Sequence, residues 1–492
     1  MQPGTLRLTR RTLLAGSAAT AGLAALPLGP AARAYGAGNG QSAPLVYQPT
    51  WDSLDSHPLP SWFDDAKLGI FIHWGVFSVP AWAPRGEYAE WYPNNMRIPG
   101  NPTYTYHRET YGADFKYRDF IPMFKAEKWD PEEWADLFKA AGARYVVPVG
   151  EHHDGFPLWN TRTTTWNATT MGPKRNILQE LGDAVRGQKM HYSPSYHQLL
   201  NYYAPEYDAP HPDYLSEKYI SEWMLPQMRE LVEDIGTEML WLDGDWMASA
   251  ETYHTKDFVA WYYNRSLAQG RQVLVNDRLG QVRGKHGDFF TQEYAYNTGQ
   301  SPAHKWENTR GCGRSFGYNR NEPLEDYMTL EQLVTMFVDT VANWGNLLLN
   351  VGPRADGTIN DVQVELLRGL GRWLEVNGDG IYGTRVWKVQ RGTTADGIDV
   401  RYTVKDGGDR VYAFLLSRPG ESISLPAADL PDLQKGDQVR LLGYNGPLRW
   451  QSEGSRVLVY IPSAALIDQP VYTLLFRRER DRFQHPVTAQ LV

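Results

Sequence analysis

The feature that most constrains the fold is a repeated alternation of short apolar runs with longer amphipathic stretches, from about Leu45 to Tyr382. Short apolar runs are typical of buried strands, and amphipathic stretches are typical of helices that cover them. A strand followed by a helix, repeated in this way, predicts parallel strands with helical crossovers. The sequence therefore predicts an α/β fold with a (β/α)8-like TIM barrel, which need not be regular.

The individual elements of this barrel can be placed from the same pattern. Asp130 and Pro131 begin one predicted helix, because they supply an N-cap and a proline at the first helical position. Further helices are predicted near Lys218–Ile235, Lys256–Ala268, Leu330–Asn343 and Asp361–Val376. The predicted strands are Leu68–His73, Arg144–Val149, Met190–Ser193, Glu238–Asp243, Gln272–Asn276, Asp288–Gln292 and Asn346–Val351.

After Gly383 the pattern changes to short strands with no convincing helix. Val400–Val404 and Val411–Leu416 flank a Gly-rich turn and predict a hairpin. We therefore expect a catalytic barrel at residues 45–385 and a C-terminal β-sandwich at residues 386–480. Bracing the barrel is the favoured role of the second domain over carbohydrate binding, because its aromatic residues sit at strand-core positions. These residues are Tyr402, Tyr412, Phe414 and Tyr460.

The N-terminus has the pattern of an export signal. Thr9–Leu14 contains twin arginines, and an Ala-rich apolar run follows from Ala15 to Leu28. Ala32–Ala34 then offers the small residues that a signal peptidase reads. We expect residues 1–34 to be a twin-arginine signal peptide and the mature protein to be secreted or exported from a bacterial cytoplasm. The alternative is a disordered Ala-rich tail. No later segment is typical of a membrane span.

Composition excludes several classes of protein. The formal net charge is −8, whereas nucleic acids and anionic membranes attract clustered positive charge, so we expect neither as a partner. The lone cysteine, Cys312, excludes an internal disulfide and a cysteine-based metal cluster. The 18 Trp and 29 Tyr residues instead favour flat apolar surfaces, which pack in cores and also suit sugar rings. No pattern in the sequence determines an oligomeric state.

Polar and aromatic side chains stand at the ends of nearly all the predicted strands. The carboxyl ends of barrel strands are where active sites form. One polar residue at a strand end means little, but a set of them in register predicts a site. The set comprises His73, Trp74, Glu151–Gly155, Tyr192, Trp241–Trp246, Asn276–Arg278 and Gln292–Tyr294.

Paired carboxylates in this set suit cleavage of a glycosidic bond, which needs a general acid and a nucleophile or base. Asp243 and Asp245 alternate onto the same side of one strand, so the pattern alone does not choose a nucleophile between them. A surface position is the alternative for Asp245. A buried ion pair is the alternative for Glu293.

The same residues allow a second interpretation, a metal-dependent hydrolase. His152, His153, Asp154, Asp243 and His73 superficially suit a metal on a barrel. Adjacent histidines on an extended segment point to opposite sides, however, so both binding one ion is awkward. We therefore expect no metal and predict that the imidazoles bind sugar hydroxyl groups.

Several motifs, in this order, resemble those of the retaining α-L-fucosidases. The likeness extends from about Trp51 to Trp387. The motifs are Trp62–Gly75 (WFDDAKLGIFIHWG), Glu90–Met96 (EWYPNNM), His152–Phe156 (HHDGF), Trp241–Trp246 (WLDGDW), Asn276–Arg278 (NDR) and Asn346–Gly357 (NLLLNVGPRADG).

This resemblance implies a barrel with a C-terminal β-sandwich, a double displacement that retains the anomeric configuration, and no metal or other cofactor. It implies that Asp243 is the nucleophile, because Asp243 is the first acid of the Trp-x-Asp pattern. The residues it implies for binding the fucose ring and hydroxyl groups are His73, Glu90, His152, His153, Tyr192, Trp241, Arg278 and, most loosely, Trp344.

The acid/base follows from a shorter likeness. Gly287–Tyr294 (GDFFTQEY) resembles the subgroup in which a Glu soon after Asn-Asp-Arg does this work, so Glu293 is predicted, with Glu307 in reserve. A Trp-Val-Gly-Asn-Glu element, which marks the narrowly specific subgroup, is missing from the sequence. We therefore expect a broad-specificity, exo-acting α-L-fucosidase whose substrate is a fucosylated glycan or glycoside.

Two other functions compete with this expectation. An exo-glycosidase for a related sugar such as α-L-galactose would use the same paired acids. A non-catalytic sugar-binding protein on the same scaffold would need no paired acids, and the presence of Asp243 and Glu293 argues against it.

Overall fold

Parallel strands form the first part of the molecule. A computed structural model describes residues 47–295 and 303–479, so the predicted signal peptide at residues 1–34 lies outside the described residues. The strands are β1 (Leu68–Ile72), β2 (Tyr145–Glu151), β3 (His191–Tyr192), β4 (Ser195–Tyr196), β5 (Met239–Leu240), β6 (Leu274–Val275), β7 (Phe290–Glu293), β8 (Trp306–Gly311) and β9 (Gly345–Val351).

These strands close into a ring. β1 pairs with β2 on one side and with β9 on the other, and β9, β8 and β7 continue in order. β2 pairs with β3 and then with β4, which follow one another along a single position of the sheet. Parallel bridges from Tyr196 to Leu242 and from Asn276 to Phe289 join the β5–β6 pair to its neighbours. The result is the predicted eight-position barrel.

Helices connect most of the strands. The helix predicted to begin at Asp130 does so: the Asp130 carboxylate accepts the N–H groups of Glu132 and Glu133. The remaining predicted helices are also present, with two π-helical turns in the first of them. The longer helical segments are Pro102–Tyr111, Pro131–Ala140, Ile177–Gly187, Glu217–Tyr219 with Ile220–Met224, Leu225–Glu230 and Leu231–Ile235, Thr255–Ala268, Leu330–Ala342 and Asp361–Asn377.

The barrel is irregular between β6 and β7. Residues 276–289 connect these strands without a helix. Gly287 has φ +118, and a Cβ there would lie 2.7 Å from the carbonyl oxygen of Asn276, so the connection depends on a glycine.

Among the described residues, no helix is long and apolar enough to cross a membrane.

Large side chains fill the barrel interior. Phe63, Phe71, Tyr145, Trp241 and Phe289 belong to one buried cluster inside the ring. A second cluster packs the outer face of the strands against the helices. Because the interior is filled, a ligand can only bind at an open end of the barrel.

Antiparallel strands form the C-terminal part. The strands are β10 (Arg385–Thr393), β11 (Asp399–Lys405), β12 (Arg410–Leu415), β13 (Ser422–Pro426), β14 (Gln438–Leu441), β15 (Arg449–Glu453), β16 (Arg456–Tyr460) and β17 (Tyr472–Arg477). One sheet has the order β10-β11-β12-β17-β14 and the other has the order β13-β16-β15, with an apolar core between them. This arrangement confirms the predicted fold class, a barrel followed by a β-sandwich.

The larger of these sheets packs on the barrel helices. Tyr412 and Phe414 belong to the same buried cluster as the barrel's outer core, and the Trp373 indole donates to the carbonyl of Val471 at 3.0 Å. Asp339, on the helix Leu330–Ala342, pairs with Arg401 of β11. These contacts favour the bracing role of the C-terminal domain.

Candidate active site

Charged and imidazole side chains gather at the carboxyl ends of the barrel strands. Parallel strands of a closed ring present these ends on one face, so residues distant in sequence meet there. The residues are His73 after β1, His152 and His153 after β2, His197 after β4, Asp243 after β5, Arg278 after β6 and Glu293 at the end of β7.

One guanidinium joins the two candidate catalytic carboxyl groups. Nη1 of Arg278 donates to Oδ1 of Asp243, and Nη2 donates to Oε1 of Glu293 at 2.7 Å. Arg278 and Asp243 are buried, whereas the Glu293 side chain is 36% exposed. The carboxyl groups therefore sit on adjacent nitrogens of one side chain. A shared guanidinium keeps the two carboxyl groups close together, as a retaining glycosidase requires.

Arg278 is itself held in place. Its Nε donates to Oγ1 of Thr291 at 2.9 Å, and that hydroxyl donates to Oδ1 of Asp277 at 2.7 Å. The guanidinium carbon lies 4.6 Å from the centre of the Trp241 ring, which forms the floor beneath it. The guanidinium is thus oriented by its surroundings as well as by the carboxylates.

Asp243 is kept ionised although it is buried. Burial alone would raise its pKa, but the charge of Arg278 and a hydrogen bond from His153 outweigh that cost. The net effect holds the pKa of Asp243 well below its usual value. A carboxylate that stays ionised in a dry site is suited to act as a nucleophile.

His153 links this carboxylate to the backbone. Its Nε2 lies 3.3 Å from Oδ2 of Asp243, and its Nδ1 lies 2.9 Å from the carbonyl oxygen of Leu200. Both ring nitrogens therefore face acceptors, which orients the imidazole.

The tautomer of His73 is determined by its neighbours. Nδ2 of Asn350 donates to the carbonyl of Phe316 at 2.7 Å, so Oδ1 of Asn350 faces Nδ1 of His73 at 2.6 Å. His73 Nδ1 must then carry the proton, which leaves Nε2 as an acceptor. Burial lowers the pKa of His73 to about 4, so the ring is neutral. Its free nitrogen can accept a hydrogen bond from a sugar hydroxyl group.

His152 and His197 lie beside it. Burial lowers the pKa of both well below the usual value, so both rings are neutral. The centre of the His197 ring lies 5.2 Å from His152, 5.4 Å from His153 and 5.6 Å from His73. The four imidazoles therefore form one buried polar surface around Asp243.

Glu90 borders this surface. Its carboxylate accepts the N–H of Gly317 at 2.8 Å, and the hydroxyl of Tyr202 donates to its carbonyl at 3.1 Å. The same hydroxyl lies 3.4 Å from Nδ1 of His152. Burial raises the pKa of Glu90 to about 7. Near neutral pH this side chain can therefore accept or donate a hydrogen bond.

Comparison with known proteins identifies this arrangement. The family described as Alpha-L-fucosidase matches residues 37–379, and the Alpha-L-fucosidase C-terminal domain matches residues 391–476. The chain belongs to the α-L-fucosidase family. It is a glycoside hydrolase, as the resemblance of its motifs predicted.

Relatives from distant organisms cover most of this fucosidase. Plasma alpha-L-fucosidase of Homo sapiens is 40% identical over 432 residues, which are 86% of this chain and 90% of that protein. Alpha-L-fucosidase of Dictyostelium discoideum is 36% identical over 445 residues, 88% of this chain and 95% of that one. This chain is 41% identical to the crystal structure of Thermotoga maritima alpha-fucosidase in complex with fucose, with a TM-score of 0.77. The match covers 87% of this chain and 100% of the Thermotoga chain.

Two of the predicted sugar-binding residues lie away from the site of the fucosidase. The Tyr192 hydroxyl donates to the carbonyl of Leu178 at 2.8 Å, so this side chain points outward to a barrel helix. Trp344 precedes β9 and donates to Asp64 at 3.1 Å, at the opposite end of the barrel. Neither side chain is brought to the histidine cluster.

The reserve acid/base is not brought there either. Glu307 is fully buried and accepts hydrogen bonds from the hydroxyl of Tyr145 at 2.6 Å and from the indole of Trp241 at 2.9 Å. Burial raises its pKa to about 7. Both carboxylate oxygens are occupied below the floor of the site, so Glu307 supports Trp241 rather than facing a substrate.

Asp245 pairs mainly with Arg283. Its carboxylate pairs with Arg283 at 2.7 Å, whereas that guanidinium lies 3.9 Å from Asp243. Asp245 is buried and is therefore not the surface residue that the sequence allowed. The sequence pattern left the nucleophile open between Asp243 and Asp245. The contacts with Arg278 and His153 favour Asp243.

The prediction that His152 and His153 point to opposite sides was wrong. Their ring centres lie only 4.6 Å apart, because the chain turns at this point through a hydrogen bond from the N–H of Gly155 to the carbonyl of His152. Nitrogen atoms of His73, His152 and His197 lie within 4.8 Å of one another. Imidazole nitrogens at this spacing can bind hydroxyl groups as well as a metal ion.

His197 is the residue that sequence reasoning missed. The predicted strand ended at Ser193, but the strand resumes at Ser195 and Tyr196 after an interruption at Pro194. The residue that follows it, His197, therefore takes the strand-end position that had been assigned to Tyr192. A sheet tolerates proline at a bulge, so Tyr196, two residues beyond Pro194, was the signal that could have extended the strand.

Proposed function

We propose that this fucosidase removes terminal α-L-fucosyl groups by a retaining double displacement, with Asp243 as nucleophile and Glu293 as general acid and base. The observation that carries the proposal is the sharing of Arg278 between these two carboxyl groups. One carboxyl is buried and held ionised, and the other is partly exposed. Paired acids in unlike surroundings are what the two roles require.

In the first step, a carboxylate oxygen of Asp243 attacks the anomeric carbon of fucose. The bond from that carbon to the leaving oxygen breaks, and Glu293 gives its proton to the leaving group. In the second step, Glu293 takes a proton from water, the water oxygen attacks the same carbon, and the ester to Asp243 breaks. Two inversions restore the original configuration.

The histidine cluster supports binding of the fucose ring. Nε2 of His73 is a fixed acceptor, and His152 and His197 are neutral beside it. Neutral imidazoles exchange hydrogen bonds with hydroxyl groups without adding positive charge next to an oxocarbenium-like transition state. Glu90 and the Trp241 floor complete the polar and apolar sides of this surface.

Leaving-group chemistry tests the two roles. Asp243→Ala should abolish turnover of every α-L-fucoside, because no ester can form. Glu293→Ala should retain far more activity on aryl fucosides, whose leaving groups need little protonation, than on fucosylated lactose. Glu325→Ala, at an exposed glutamate, is the matched control and should be unchanged on both. Equal losses for Glu293→Ala on the two substrates would contradict its role as the acid.

We also propose that this fucosidase accepts a broad range of leaving groups, because its sequence lacks the Trp-Val-Gly-Asn-Glu element of the narrowly specific subgroup.

We further propose export by the twin-arginine route. Support for export comes from the arginine pair at Arg10 and Arg11 and the apolar run that follows. Replacing both arginines by lysine should leave the protein, with residues 1–34 attached, inside the cytoplasm of a bacterial host. Unchanged release of mature protein by that variant would contradict this route.

A further inference from the structure

An exposed apolar surface adjoins the site. Trp246 is 43% exposed and Met247 is 45% exposed, and they lie three and four residues after Asp243 in the chain. The Trp246 ring centre lies 6.1 Å from that of His153, whose Nε2 contacts Asp243. A second indole, Trp91, lies on the same imidazole at 5.5 Å and is only partly buried. The histidine next to the nucleophile is thus flanked by two indoles, one of which faces solvent.

The segment that carries the exposed indole is anchored. Gly244, at φ +91, packs so tightly that a Cβ there would lie 2.4 Å from the amide nitrogen of Leu200. Asp245 is buried and paired with Arg283. Gln281 then holds both sides of the turn: its N–H donates to the carbonyl of Asp245 at 2.8 Å, and its side chain donates to the carbonyl of Trp246 at 3.2 Å. A large indole is therefore presented to solvent on a fixed backbone.

We propose that Trp246, with Met247 beside it, is the platform on which the leaving-group sugar of the substrate rests. A flat indole suits the apolar face of a pyranose ring, and a fixed backbone lowers the entropy lost on binding. The fucosyl group occupies the histidine surface in the proposed function, so the next sugar must extend toward solvent, where this indole lies. The inference rests on that proposed function and adds the class of leaving group, a pyranoside.

Comparing substrates with and without a leaving-group ring tests this platform. For Trp246→Ala, kcat/KM on fucosylated lactose should fall by about tenfold or more, because a well-packed indole contact is lost. Turnover of α-L-fucosyl fluoride, which has no leaving-group ring, should change by less than about twofold. Trp246→Phe should recover part of the loss on the oligosaccharide.

Control variants separate this role from a structural one. Ile467→Ala, at an exposed apolar residue of the C-terminal domain, should leave both substrates unchanged. Equal losses for Trp246→Ala on the fluoride and the oligosaccharide would show a structural role and overturn the proposal. No loss on the oligosaccharide would also overturn it. Failure of the wild-type protein to release fluoride would instead contradict the proposed function itself.

Discussion

Arg278 donates a hydrogen bond to Asp243 in a position where both side chains are buried. A buried carboxylate without a partner would take up a proton, and a protonated Asp243 could not attack a sugar. The contact therefore keeps Asp243 in the charged form that the proposed reaction requires. Because Arg278 also contacts Glu293, one side chain sets the spacing of both acids.

Removing this guanidinium should shift the pH dependence of activity. In Arg278→Met, the pKa of Asp243 should rise, so activity on the acidic side should be lost at a higher pH than in the wild type. At neutral pH, kcat/KM should fall by about a hundredfold or more, since a preorganised charge is lost. The measurement is a pH profile of kcat/KM with an aryl fucoside.

Arg283 provides the control for that experiment. Its guanidinium pairs with Asp245 and lies 3.9 Å from Asp243, so Arg283→Met should cause a much smaller shift of the acidic limb. An unchanged acidic limb in Arg278→Met would show that Arg278 does not control the charge of Asp243.

The buried Glu307 should make stability depend on pH. Its pKa is raised from 4.5 to about 7 by burial, so the folded protein binds a proton that the unfolded chain has released. This contribution favours folding below about pH 4.5 and is lost as pH rises toward about 7. Glu307→Gln removes this pH dependence. The free energy of unfolding of the variant, relative to that of the wild type, should therefore rise by at most about 3 kcal/mol from about pH 5 to about pH 8.

Urea unfolding at these two pH values measures that change. Each free energy of unfolding is compared with that of the wild type at the same pH, so the other titrating groups, including Glu90, cancel. An equal difference between variant and wild type at both pH values would contradict the raised pKa of Glu307.

The contact between the two domains should stabilise the fold without taking part in the reaction. Arg401→Met leaves Asp339 with the longer ion pair to Arg391, at 3.4 Å, so the free energy of unfolding should fall by about 3 kcal/mol. The double variant Arg401→Met with Asp339→Asn should recover part of this loss, because the buried carboxylate is gone and the Arg391 side chain, which is 32% exposed, is solvated. kcat and KM of the folded protein should be unchanged in both. A fall in kcat without a loss of stability would contradict the bracing role.

The strand ends of the barrel could be predicted from the sequence for a physical reason. His73, His153, Asp243 and Arg278 lie one to a few residues beyond runs of buried apolar residues, where polar side chains mark the end of a core strand. Parallel strands bring such positions to one face, so the fold class and the polar residues at the strand ends together predict where the site lies. The assignment of Glu293 came from a resemblance, and the structure supports it through the shared contact with Arg278.

Other features could not be predicted because the sequence lacks the usual signals. β8 (Trp306–Gly311) has the polar sequence WENTRG. It can be buried because Glu307 finds partners inside the barrel, and Asn308 bonds outward to Thr340 of the helix Leu330–Ala342. Tyr192 was misplaced because β3 and β4 share one strand position across Pro194. The position of Trp344, by contrast, could have been predicted. It follows a helix and precedes a strand, and such a position lies at the amino end of the barrel.

The most direct test of the account is the configuration of the first product. Proton NMR of the mature protein acting on an aryl α-L-fucoside distinguishes the two anomers before they interconvert. The account predicts that α-fucose appears first, because Asp243 forms a covalent intermediate that water then opens. β-Fucose as the first product would show a single inverting displacement and would contradict the role assigned to Asp243.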